Sequence, residues 1–285
     1  MYKKIELKEK KELLVQILDK FLRFCKDNNL KCYLVAGTLL GAVRHNGFIP
    51  WDDDVDVMMP IDDFNRLMKI TKNGEIDERY TISTPENNSL HMWPFIKVCD
   101  SKTVLTETGV VDRKHIEQQK KYYGVYIDVF PAYGLPNDEE ERKAFQNELS
   151  TLHKNDIYAV RVMNRRKTDS YFLYTVRRIA YWFYRIPYRI KGNHYYVSET
   201  LRLINKYPLG ESKYYGFDIG IVPDCRAHSL TTYLSEETTL KFEMLTCPVL
   251  KAYDKILSNQ YGDYMQLPPE NERRIHPSEC YWRKD

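Results

Sequence analysis

At 285 residues the chain is long enough for one large domain or two small ones with a sizeable core. Its formal net charge of +3, from 43 basic and 40 acidic residues, creates no strong field for duplex nucleic acid, so no nucleic-acid partner is expected. Its six cysteines are scattered without a CxxC pair, which favours buried free thiols over a disulfide framework or zinc site.

Met1 to Glu6 leads straight into a charged helix without a secretory signal, and no stretch is apolar for long enough to span a bilayer. A cytoplasmic location is expected, with contact at the inner face of the membrane left open. Glu6 to Asn29 carries Leu13, Leu14, Ile17, Leu18, Phe21 and Cys25 at helical spacing, with charges opposite, and predicts an amphipathic helix. Cys32 to Ala36 reads as a buried strand. A turn at Gly37-Thr38 then opens a short helix from Leu39 to His45, with Thr38 as its N-cap. Asn46-Gly47 ends that helix, Pro50 to Asp53 is a loop, and Val55 to Met59 is a second strand ended by Pro60. A helix follows through Phe64, Leu67 and Ile70.

Further strands are predicted at Tyr80–Ser83, Phe95–Asp100, Thr103–Glu107 and Val125–Phe130, and a long helix from Glu140 to Val162. Arg161 to Lys191 is crowded with arginine and aromatic residues. Core packing with snorkelling arginines is the first reading of it; an acceptor-binding surface and a membrane-surface helix stand beside it. Pro187 breaks any helix through this stretch. Short strands follow from Lys213, then a helix near Ala252–Gln260 and the Pro-rich Leu267-Pro268-Pro269. The division expected is a catalytic core over 1–136 and a mainly helical substrate-binding part over 137–285.

The chemistry concentrates in Asp52-Asp53-Asp54-Val55-Asp56-Val57. Side chains alternate along a strand, so Asp54 and Asp56 share a face, about 7 Å apart by the strand rise, while Val55 and Val57 enter the core. Two such carboxylates resist joint ionisation without a cation, and oxygen-only ligands favour Mg²⁺ or Mn²⁺. Asp128, an acid inside an otherwise buried strand, is the candidate third ligand, because a buried acid is costly unless paired or metal-bound. Strand, glycine turn, short helix and Asp-x-Asp strand together suit a metal-bridged phosphate at a helix N-terminus.

The runs Gly37–His45 and Gly47–Val57, the segment Ile127–Pro131 with Gly134-Leu135-Pro136, and the closing Tyr261–Pro269 resemble the signature of the LicD family. The likeness is dense in the N-terminal half and returns at the end. It implies an α+β, nucleotidyltransferase-like mixed sheet flanked by helices. It also implies transfer of phosphocholine or a similar phosphoalcohol from a CDP-activated donor such as CDP-choline. The acceptor implied is a sugar hydroxyl of a glycan or lipid-linked glycan, such as a teichoic acid precursor. By resemblance Asp54, Asp56 and Asp128 map onto the metal-binding catalytic acids, and Gly37 and Thr38 onto the phosphate-facing turn.

Other residues carry two readings each. Arg44 either reaches a donor phosphate or serves its helix dipole. Lys97, on one face with Phe95 and Cys99, needs an acid partner or a phosphate. Trp51 stacks on a base or on choline, with core packing the plainer reading. Arg273, Arg274 and His276 close over the donor or belong to a solvated tail. Asp52 reads as a solvated loop acid, and Asp53 faces away from Asp54. Two rival functions remain: nucleotidyl transfer from an NTP to a small molecule, and a non-catalytic metal or glycan-binding module.

Overall fold

The structure is a computed structural model that describes residues 3–88, 91–107, 123–161, 163, 170–217, 219, 229–273 and 278–283. Helix α1, Leu7–Asp27, forms as its apolar spacing requires. Leu14, Ile17, Leu18 and Phe21 are fully buried against a central sheet, each contributing about 1.5–3 kcal/mol by removal from water. The sheet is mixed. It runs β1 (Tyr33–Leu34), β2 (Asp56–Pro60), β6 (Tyr126–Gly134), β4 (Ile96–Asp100), β3 (Tyr80–Ser83) in spatial order. The far end of β6 pairs with β7 (Tyr214–Gly216), which pairs with β8 (Ser229–Leu230). Strand β5 (Thr103–Glu107) pairs instead with β11 (Ser278–Trp282), and β9 (Glu237–Phe242) with β10 (Leu245–Leu250).

Alternation along the strands divides the core. Val57, Val129, Ile127 and Val98 face α1, whereas Met58, Ala132 and Tyr33 face the other side, where Tyr215, Leu250 and Ile256 cover them. Helix α8 (Tyr253–Tyr261), which carries Ile256, therefore lies on the face opposite α1. Helix α2 (Ala36–His45) follows β1, and α3 (Ile61–Ile70) follows β2 directly. Beyond residue 137 come α4 (Glu139–Val160), α5 (Tyr171–Tyr184), α6 (Ile186–Lys191) and α7 (Asn193–Ile204). Asp138 caps α4 by accepting the Glu141 amide, and Ser170 caps α5 by accepting that of Leu173.

The architecture is the expected α+β mixed sheet flanked by helices, with three local differences. Strand β2 starts at Asp56, so Asp54 and Val55 lie in the extended loop before it. Helix α2 starts at Ala36, so Thr38 sits inside the first turn and is not the N-cap; Val35 takes that place. The described helices of the arginine and aromatic stretch are not core: α5 and α6 bury none of their side chains, Arg185 at their junction being the buried exception, while residues 162 and 164–169 lie outside the described residues. Pro187 does separate the two helices. Cys25, Cys32, Cys99, Cys247 and Cys280 are free and buried as expected; Cys225 lies outside the described residues. Among the described residues no helix is long and apolar enough to cross a membrane.

His91 is fully buried beside the edge strand β3. Its Nε2 lies 2.6 Å from the Phe95 carbonyl, which can only accept, so Nε2 carries the proton; Nδ1 then accepts from Ser83 (2.9 Å) or Tyr123 (3.2 Å). Burial holds the imidazole neutral and lowers its pKa to about 3. A base with a depressed folded pKa lends stability that is complete above its unfolded value, 6.5, and is lost as pH falls toward about 3. The stability difference between wild type and His91→Gln is therefore expected to shrink below pH 6.5 by up to about 1.4 kcal/mol per unit. Urea titrations from pH 8 to 4 read it, and a pH-independent difference would refute it.

Candidate active site

Strands β2 and β6 run parallel with Asp56 opposite Asp128, and β4 runs antiparallel to β6 with Lys97 opposite Asp128. Residues in register across a sheet share a face, so one pleat row reads Asp56, Asp128, Lys97 and, on β3, Ser83. The two carboxylates are neighbours at strand spacing. Lys97 donates to Asp128 Oδ1 at 2.7 Å, with its side chain 1% exposed against 17% for the acid. Three rings surround that ammonium: Tyr126 at 3.4 Å from its centroid, Trp93 at 4.4 Å and Phe95 at 5.1 Å. The buried lysine thus has the acid partner its sequence position demanded, and the aromatic faces replace its lost water.

Asp54 and Asp56 lie on the same side, with Val55 and Val57 between and beyond them fully buried. Burial pushes the Asp56 carboxyl well above the usual range, and the charges of Asp54, Asp128 and Asp52 push it further; Lys97 opposes them. Asp52 is thus part of this acidic group rather than the solvated bystander expected. Gly37 explains how it gets there: a Cβ on Gly37 would come within 2.8 Å of Asp52 Oδ2. Asp53 turns the other way into a buried ion pair with Lys10 of α1 at 2.5 Å.

The helix start is shaped around the same acids. Thr38 is buried, and its hydroxyl accepts the Asp56 amide at 2.8 Å, so it positions the acid's backbone. Helix α2 begins at Ala36, whose φ of 50° is a left-handed conformation costing an alanine about 1–2 kcal/mol. At the other end of α2, Asn46 takes a left-handed turn, and Glu243 of the β9–β10 hairpin accepts the Phe48 amide at 3.0 Å.

A cavity of about 460 Å³, a size suited to a small-molecule ligand, opens between the first turn after α2 and the segment that follows α8; Asp52, Asp54, Asp56 and Asp128 do not line it. Arg44, Trp51, Tyr261 and Tyr264 line it. Arg44 donates to the Tyr264 carbonyl at 2.9 Å, and burial lowers its pKa. Trp51 packs on the core with one part and on the Arg273 guanidinium with another, 4.6 Å from the ring centroid. Arg273 thus backs the wall residue Trp51; Arg274 and His276 lie outside the described residues. Tyr261, the last residue of α8, was not nominated from sequence, although the closing motif contains it. Burial and the charges of Asp56, Asp52 and Asp54 raise its phenol to about 12, so it is a donor at neutral pH.

The donor set for a cation is all oxygen, as Mg²⁺ or Mn²⁺ prefers, and the crowding on Asp56 is the charge state a divalent ion relieves. Among the described residues no three His, Cys, Asp or Glu side chains form a ready-made metal cage. What the described residues offer is an adjacent carboxylate pair, Asp56 and Asp128, of the oxygen type such an ion prefers.

Residues 29–165 match the LicD/FKTN/FKRP nucleotidyltransferase domain. The chain is 27% identical over 288 residues to the lipopolysaccharide cholinephosphotransferase LicD of Haemophilus influenzae, covering 96% of this chain and 97% of that one. It is 40% identical over 82 residues to an uncharacterised protein of Rickettsia prowazekii, covering 28% and 30%. It is 34% identical over 83 residues to the ribitol 5-phosphate transferase FKRP of Mus musculus, covering 23% and 17%.

The Lys97–Asp128 pair gives a direct test. Truncating one partner leaves the other charge in a poorly solvated site, at a cost of about 3–5 kcal/mol. Lys97→Met and Asp128→Asn are each expected to lower unfolding free energy, and the double variant to lose clearly less than the sum. Chemical denaturation of the four proteins measures the coupling; strict additivity would show that the contact carries no energy.

Over residues 29–165 the chain therefore carries the nucleotidyltransferase domain of the LicD/FKTN/FKRP family.

Proposed function

We propose that the protein moves a phosphoalcohol, phosphocholine first among them, from a CDP-activated donor to a sugar hydroxyl of a cell-surface glycan precursor such as a teichoic acid. One observation carries the reading: Asp56 and Asp128 stand side by side with Asp54 in electrostatic reach, and Tyr261, whose phenol the Asp54 and Asp56 charges raise, lines a cavity of small-molecule size. The names of the relatives support it, one being a cholinephosphotransferase and another a ribitol 5-phosphate transferase.

In this reading Asp54, Asp56 and Asp128 would hold Mg²⁺, or Mn²⁺ in its place, which would supply neutralising charge for the donor's phosphates. The acceptor oxygen attacks the phosphorus that carries the alcohol. Its bond to the bridging oxygen breaks, CMP leaves with that electron pair, and the hydroxyl proton passes to a carboxylate, for which Asp128 is placed. Lys97 holds Asp128 in position from β4. Gly37 and the first turn of α2 bring the helix N-terminus toward the phosphates. Tyr261, protonated, donates to a phosphate oxygen. Arg44 and Trp51, the latter backed by Arg273, form part of the cavity wall that receives the nucleotide or the alcohol. Catalysis is then positioning and charge stabilisation more than covalent chemistry.

The expected result is release of CMP from CDP-choline, or from CDP-ribitol or CDP-glycerol, only with Mg²⁺ and a glycan acceptor present. Asp54→Asn and Asp56→Asn are expected to cut that rate at least about 100-fold with circular dichroism unchanged. Pyrophosphate release from an NTP would instead assign nucleotidyl transfer. Thermal stabilisation by Mg²⁺ and CDP-choline without turnover on any acceptor would assign a binding module. Full activity in either aspartate variant would remove the metal assignment.

A further inference from the structure

We infer that helices α5 and α6 dock the protein onto the surface of an anionic lipid bilayer, with α5 lying in the plane of the headgroups. The inference stands apart from the chemistry at the acids.

Helix α5 shows its apolar stripe to water. Phe172, Val176, Ile179 and Phe183 recur at helical spacing on one face, and they are 78%, 47%, 54% and 60% exposed. Trp182 beside the stripe is 52% exposed, and Ile190 of α6 is 79% exposed. Contacts on the inward side set this orientation. Tyr181 rests edge-on against Tyr158 of α4, and Arg185 is buried where it donates to the Tyr158 and Ala159 carbonyls. The face turned to the protein is thus polar and the face turned to solvent is apolar, the reverse of a helix that belongs to a core. A contiguous apolar surface of this kind marks an interaction site.

Charge selects the occupant. From residue 170 to 198 there is no Asp or Glu, while Arg177, Arg178, Arg185, Arg189 and Lys191 all fall in this stretch. A second copy of the chain would bring these cations against their own kind. An anionic bilayer offers the opposite charge and an apolar interior together, and basic residues among Trp, Tyr and Phe suit its interface. Arg178, Arg189 and Trp182 also line an open cleft of about 690 Å³ between the two helices, where a headgroup phosphate would sit. Fourteen residues of helix reach about 21 Å, short of the roughly 30 Å hydrocarbon thickness, so α5 lies on the bilayer rather than through it.

The test is sedimentation of the full chain with vesicles of phosphatidylcholine, with and without about one third phosphatidylglycerol. Binding is expected to be at least about tenfold tighter to the anionic vesicles and to weaken at high salt. Ile179→Asp with Phe183→Asp, both exposed positions, should abolish it with the melting temperature unchanged. A charge-only variant, Arg178→Gln with Arg189→Gln, should weaken the anionic preference and leave the fold intact. Absence of binding to anionic vesicles, equal binding by the Ile179/Phe183 variant, or a concentration-dependent dimer that this variant abolishes would each overturn the inference.

Discussion

Two carboxylates at neighbouring positions of a parallel strand pair are the constraint around which this protein is arranged. At a strand spacing of about 5 Å, two such charges repel by about 3 kcal/mol at an effective dielectric near 20. Asp56 and Asp128 accept that repulsion because the β2–β6 pairing is built from Val57, Val129 and Ile127, which are fully buried under α1. Burial of those side chains sets the register, and the register sets the acids side by side. The next strand then places Lys97 against Asp128, which offsets part of the negative charge without separating the pair.

The surrounding contacts hold this row from several directions. Thr38 takes the Asp56 amide, tying the start of α2 to the start of β2. Lys10 and Asp53 pin the loop between them to α1, so that Asp52 and Asp54 are delivered to the opposite side. His91 holds the Ser83 hydroxyl and the Phe95 carbonyl, and so braces the segment that brings Trp93 and Phe95 over Lys97. The C-terminal part contributes Glu243 to the end of α2 and Tyr261 to the acids. Residues from well separated parts of the chain therefore meet within one site. A change at Lys10 or His91 reaches it through packing rather than through contact with ligand.

The outer helices follow a different logic. Core elements here bury an apolar face and expose charge, whereas α5 does the opposite over four turns. Composition could not distinguish these cases, because arginine stems and tyrosine rings serve in a core, in a groove or on a lipid surface equally well. What separates them is which face the neighbouring helix occupies, and Tyr158 and Arg185 decide that.

Much of the fold was legible in the sequence. The helical spacing of Leu14, Ile17, Leu18 and Phe21, the alternation around Asp54 and Asp56, and the lone acid in Val125–Phe130 each report a local period, and a local period needs only the chain itself. The family likeness rested on contiguous motifs of the same kind. Where side chains compete for a partner far along the chain, the sequence was silent. Thr38 reads as a cap until the Asp56 amide claims its hydroxyl; Asp53 gives no sign of Lys10, 43 residues away; Asp52 reads as solvated until Gly37 lets it close in. Sequence alone determined most of the elements and the buried faces of the core ones, because these follow from spacing. Only the tertiary structure decided which partner each polar group takes and which face of α5 meets water, because those depend on what lies across the sheet rather than along the strand.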